Sequence, residues 1–112
     1  MSIENRVIEI SVNQAIPLIQ RSLLGYMSRW SKIYIGSTVD PARRWPEHAD
    51  KGMVKMVLLY QAWSASLAIN MERELIDWAR RTNFRIEHLN ATDGGEGIPI
   101  HQRKHYIYIL VG

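Results

Sequence analysis

The chain of 112 residues has no cysteine, which excludes disulfides and thiolate metal sites and leaves the redox compartment unread. No apolar run approaches membrane-spanning length. The start, MSIENRVIEI, lacks the basic-then-apolar pattern of a signal peptide. Repeats, low-complexity tracts and linker-like stretches are also missing. The expectation is a soluble, cytoplasmic protein with no membrane partner. The length suits a single domain over 1–112 with a modest core.

What is present is ordinary for a globular protein. Hydrophobic residues make up 46% and charged residues 22% of the chain. A net charge of +3 permits an anionic partner such as nucleic acid without requiring one.

Hydropathy patterning predicts the elements. Arg6 to Ser11 alternates apolar and polar residues, as a half-buried strand does. Gln14 to Met27 is spaced for a helix with Ile16, Ile19, Leu23 and Met27 on one face and Asn13 as its cap. Lys32 to Ser37 is β-branched and aromatic and reads as a strand ending at Gly36. Asp40-Pro41 then supplies an N-cap and a proline at the first helical position. Val54 to Trp63 is nearly continuous in apolar residues, which places this strand inside its sheet. Ser66 to Arg81 is the clearest helix, with Leu67, Ala68, Met71, Leu75, Trp78 and Ala79 on one side. Asn90 to Gly97 is a turn cluster, and His105 to Val111 is the final strand. The fold class is α+β, a small three- to four-stranded mixed sheet flanked by helices, with residues 1–30 as an N-terminal strand-helix extension.

Several polar residues fall where this frame has no need of them. Arg44 and His48 are four apart and share one face if the helix opened by Asp40 continues. Trp45 is its natural core contact. Pro46 removes a helical hydrogen bond and is expected to bend or restart the helix. Glu72 has Ala68, Leu75, Ile76 and Ala79 as its helical neighbours, so it borders the buried stripe. A carboxylate there needs a compensating cation or donor. Two readings stay open: structural pairing to an arginine, or ligation of a hard cation such as Mg²⁺, which is often held by one carboxylate, waters and phosphate oxygens. Gly94, Gly95 and Gly97 around Glu96 fit a tight or phosphate-cradling loop, but no Gly-Lys-Ser/Thr follows as in a Walker loop. The basic run His101 to His105 could contact phosphates, or could simply be solvated.

The order of these signals carries more than any one of them. Tyr34-Ile35-Gly36, Arg44 and His48 on the next helix, a strand ending LLYQ, Glu72 on a helix, then Leu89-Asn90 and GGEG resemble the GIY-YIG nuclease superfamily. The resemblance runs from about Lys32 to Gly97, more than half of the chain. Its most specific part is YIGST…RRW..H, and the LNATDGGEG ending is similar to that of phage-type and mobile members. It implies a small sheet flanked by helices and a DNA endonuclease that hydrolyses phosphodiester bonds with one divalent metal, Mg²⁺ or Mn²⁺. It further implies that Tyr34 is the YIG tyrosine, Arg44 the phosphate-binding arginine, His48 the histidine of the arginine helix, Glu72 the metal ligand and Asn90 the asparagine beyond that helix. Gly36, Arg43, Arg103 and Lys104 would join Asn90 in contacting substrate. Cutting both strands would need a homodimer or sequential nicking, in the cell's own cytoplasm or, for a phage-encoded member, in that of its host.

One signature is out of place. The GIY strand is expected about ten residues before YIG, where this chain has Leu23 in a predicted helix. Gly25-Tyr26-Met27 matches in wording but leaves too little chain for a strand and hairpin. Tyr106 to Leu110 is similar to the YxYxL form of that strand. The motifs are then either circularly permuted, with Tyr108 in the place of the GIY tyrosine beside Ile33 to Ser37, or the site is degenerate and lacks its second tyrosine. The alternative function is a catalytically inactive nucleic-acid-binding protein that keeps the fold.

Overall fold

His105–Val111, the last strand in the chain, is the middle of the sheet. The computed structural model describes residues 2–8, 10–49, 52–82, 87–88 and 104–112. Its elements are β1 (Ser2–Ile8), α1 (Val12–Arg29), β2 (Lys32–Thr38), α2 (Pro41–Ala49), β3 (Lys55–Ala62), α3 (Ala65–Thr82), β4 (Glu87–His88) and β5 (His105–Val111). The sheet order is β1-β3-β5-β2-β4. β5 runs antiparallel to both β2 and β3, while β1 is parallel to β3 and β4 to β2. The central strand therefore opposes the other four. The α+β class and the mixed sheet flanked by helices are as expected, with four full strands and a two-residue fifth.

Alternation along the strands sorts side chains onto two faces. Ile33, Ile35, Val57, Leu59, Ile107, Ile109 and Val111 face α1 and α3 in the larger core. Met56, Leu58, Tyr108 and Leu110 pack on the other face with Met53, against Val7, Tyr34 and Trp45. Trp45 brings α2 onto that second face. Asp40 starts α2, its Oδ1 accepting the Arg43 N–H at 3.2 Å. Ser64 starts α3 in the same way, its Oγ accepting the Leu67 N–H at 3.2 Å.

Four expectations need correction. The first strand is Ser2–Ile8 rather than Arg6 to Ser11, because Ser11 already turns the chain into α1, its carbonyl accepting from Gln14 and Ala15. For the same reason the cap position is Ser11, and Asn13 lies inside the helix. α2 also continues through Pro46 rather than restarting there: the proline gives up one hydrogen bond and crowds the carbonyl four residues back, while Trp45 beside it is anchored on the sheet. The N-terminal strand and helix, finally, are integral to the domain rather than appended. β1 pairs with β3, and Ala15, Ile19, Leu23 and Met27 are buried in the main core. Leu23→Ala should accordingly cost about 2–5 kcal/mol in a urea unfolding curve, whereas an appended helix would leave the midpoint where it was.

Candidate functional site

The carboxyl ends of β2 and β3 and the start of β5 meet at one end of the sheet, since β5 runs opposite to its neighbours. From that end α2 departs to one face and α3 to the other. In open sheets with parallel strands, such a divergence creates the crevice where ligands bind.

Within it, Gly36 of β2 is paired directly with Tyr108 of β5. The backbone of Gly36 has no positive φ, so it is glycine for space and not for conformation. A Cβ there would stand 2.5 Å from the Tyr108 hydroxyl, 2.6 Å from Cζ and 2.9 Å from Cε1 of Tyr34. The Tyr108 ring thus lies over Gly36 and beside Tyr34, with ring centroids 6.2 Å apart and planes at 26°. The Tyr34 and Tyr108 hydroxyls are hydrogen-bonded to each other, and the Arg44 guanidinium donates to both. One guanidinium from α2 therefore ties together phenols from two strands.

Tyr34 and Arg44 are half-buried, while Tyr108 has no exposed surface. Tyr108 can act on a ligand only through its neighbours, which makes it a positioning residue. Gly36 is likewise buried beneath the ring and offers no approach to a substrate.

Glu72 enters from α3 on the other face and is 4% exposed. Its Oε2 accepts the Ser37 hydroxyl at 2.9 Å. Ser37 has the parity of Ile33 and Ile35 and so faces the helices. Ser37 thus ties the α3 carboxylate to the end of β2, the strand that also carries Tyr34. Glu72 and the two phenols are coupled electrostatically. Burial chiefly raises the Tyr34 pKa, and the negative charge of Glu72 raises it further against the opposing Arg44. Tyr108 is pushed up strongly by burial, then by Tyr34, with Glu72 adding to it. Both phenols are proton donors at neutral pH.

Arg43, next to the site, has an exposed side chain. Lys104 lies further along the same end, with its Nζ over the Trp63 ring. α2 carries the backbone of His48 one turn beyond Arg44, but its side chain, like Asn90 and Arg103, lies outside the described residues. Sequence reasoning did not single out Ser37. The available signal was a hydroxyl at the helix-facing parity of β2 across from a stripe-border glutamate. Among the described residues, no three His, Asp or Glu side chains converge to hold a metal by themselves. The hard oxygens of Glu72 and Ser37 suit a cation such as Mg²⁺ that completes its shell with water and phosphate.

No family model matches the chain, and neither a curated protein nor a solved structure matches it.

Two outcomes follow. Gly36→Ala should cost about 1–3 kcal/mol by overpacking, and the cost should shrink in a Tyr108→Ala background when the pair is measured as a double-mutant cycle. The raised phenols also set an alkaline limit. An unfolded chain releases these protons near the ordinary value of 10.0 while the folded chain still holds them. Stability present below that value is therefore lost as pH rises through the folded pKa values. Unfolding midpoints should fall on crossing pH 10, less steeply in Tyr34→Phe and Tyr108→Phe. Tyr26, raised by its own burial and by Glu4, should keep a residual slope.

Proposed function

We propose that the chain is a divalent-metal-dependent endonuclease acting on DNA, of GIY-YIG type with its motifs circularly permuted. The observation that carries this reading is the seating of Tyr108, from the last strand, against Tyr34 under a shared Arg44. The β2–β5 ladder sets Tyr108 opposite Gly36, the neighbourhood that the likeness of Tyr106 to Leu110 to a YxYxL strand implies.

The division of roles follows from exposure and charge. Arg44 places fixed positive charge on the scissile phosphate, where negative charge grows during cleavage. Tyr34 keeps its proton and donates to a phosphate oxygen or to the attacking water. Tyr108 orients both groups through its hydroxyl. His48, one turn from Arg44, is the proton acceptor, as an imidazole suits neutral pH. Glu72 would hold Mg²⁺ or Mn²⁺, with the Ser37 hydroxyl fixing the carboxylate. When bound there, the cation supplies Lewis-acid charge to the phosphate and the departing oxygen. Nicking one strand needs one copy, and double-strand cleavage needs a homodimer or sequential events.

The second reading, a nucleic-acid-binding protein without turnover, is favoured by the burial of Glu72 on the helix side of the sheet. Plasmid nicking with Mg²⁺ or Mn²⁺ separates the two. Wild type should nick, Glu72→Gln should abolish metal-dependent nicking, and Arg44→Ala should slow it about 10²–10³-fold. Tyr34→Phe should be more severe than Tyr108→Phe, whose hydroxyl acts at one remove. Absence of metal-dependent nicking on supercoiled, linear and single-stranded DNA would leave binding as the function, and full activity in Glu72→Gln would remove the metal assignment.

A further inference from the structure

Past the pair Ala62↔His105, the chain leaves β3 at Trp63 and enters β5 from Lys104. Trp63 is 62% exposed, more than any other large apolar side chain among the described residues. The Lys104 Nζ lies 5.2 Å from its ring centroid, a cation–π distance that favours one orientation of the indole. Beside it is an open depression of about 560 Å³, lined by Ile10, Ser11, Tyr60, Gln61, Trp63 and Lys104. The Tyr60 hydroxyl is committed to the Ile10 carbonyl at 2.6 Å. Gln61 brings both a donor and an acceptor to the rim.

A backbone irregularity sets which way this group faces. The β3–β5 register shifts between Leu58 and Tyr60, where Leu58 pairs with Tyr108 but Tyr60 pairs with Ile107. One extra residue on β3 reverses the alternation beyond it. Leu59 and Tyr60 both join the helix-side core, so Gln61 and Trp63 take the parity of the Tyr108 face. Lys104 continues the parity of Tyr106 and Tyr108 along the other strand. Four residue steps separate Lys104 from Tyr108, about 13 Å of strand, a span of a few nucleotides.

We propose that Trp63, with Lys104 and Gln61, is a stacking platform for an unpaired base of the substrate strand, a few nucleotides from the phosphate held at Arg44. The proposal takes that phosphate from the nuclease reading, but the platform itself needs only binding of nucleic acid. It specifies the substrate class: strands with single-stranded character, such as flaps, branches, bulges or frayed ends. A base inside a duplex is stacked on its neighbours and offers no face to an indole. An apolar protein partner fits the surface less well. It would bury the Lys104 ammonium without a counter-charge, whereas a nucleotide brings its own phosphate.

The test uses the Glu72→Gln chain, so that binding is read without cleavage, and oligonucleotides carrying 2-aminopurine. Single-stranded and flapped oligonucleotides should bind with quenching of the probe at one position. Trp63→Ala should remove that quenching and weaken binding about 5- to 100-fold. Trp63→Phe should retain most of both, and a fully paired duplex should lose little. Lys104→Ala should weaken binding and reduce its salt dependence. Unchanged single-strand affinity in Trp63→Ala, equal losses on duplex and single strand, or a change confined to self-association in sedimentation would overturn the platform. Nicking by the unmutated chain that is indifferent to Trp63→Ala on flapped DNA would overturn the platform and leave the nuclease reading standing. Trp63-dependent quenching in a chain that nicks nothing would support the platform and overturn the nuclease. Absence of nucleic-acid binding would overturn both.

Discussion

The pairing of Gly36 with Tyr108 is the constraint on which the rest of the arrangement depends. A fully buried aromatic ring occupies the volume that any side chain at position 36 would need. A register slip of one residue would turn the ring toward the helices, and a slip of two would seat it over Tyr34 or Thr38. Glycine therefore fixes the register as well as leaving room for the ring. Because β5 lies between β2 and β3, that register also sets where the carboxyl ends of those strands fall relative to each other. The two strands of the sheet that launch α2 and α3 are aligned through a strand distant from both in sequence, by contacts of the long separation that goes with slow folding.

The bulge on β3 has a comparable reach. Without the extra residue, Tyr60 and Ala62 would fall on the tyrosine face and Gln61 and Trp63 among the helices. An indole that is 62% exposed would then be buried, and the Tyr60 hydroxyl would lose the Ile10 carbonyl that now satisfies it. One inserted residue thus exchanges the pair Tyr60 and Ala62 for Gln61 and Trp63 on that face, at the end of the sheet from which α2 and α3 depart. Irregularities of this kind tend to sit beside functional sites because they re-aim side chains without disturbing the rest of the ladder.

The legible parts of the fold were those with strong local periodicity. The apolar stripe of α3, the Asp40-Pro41 start of α2 and the β-branched run of β2 each carry their own signal, and the structure differs from them by a residue or two at the ends. β4 was not legible, since a two-residue strand has no period to detect. The strand order was not legible either, because nothing local in HYIYILV says that it inserts between two earlier strands. For the site, Asp40-Pro41 located the helix that carries Arg44, and the apolar neighbours of Glu72 foretold its burial. The sequence could not say that the carboxylate meets Ser37 at the end of β2, which depends on which face α3 covers. Ser37 was passed over because its role appears only once Gly36 and Ser37 are assigned to opposite faces.

The charges around the phenols bear on what the cluster can do. Glu72 acts on Tyr34 and Tyr108 through its field, after burial as the larger cause. Arg44 is hydrogen-bonded to both phenols, and these neutral oxygens orient the guanidinium. Phenols that keep their protons near neutral pH are donors, so a reaction needing a base would take it from another group. An anion reaching this cluster would meet a guanidinium whose direction two phenols set, and under the nuclease proposal the Glu72 carboxylate would need a bound cation before it could stand near a phosphate of its own charge sign.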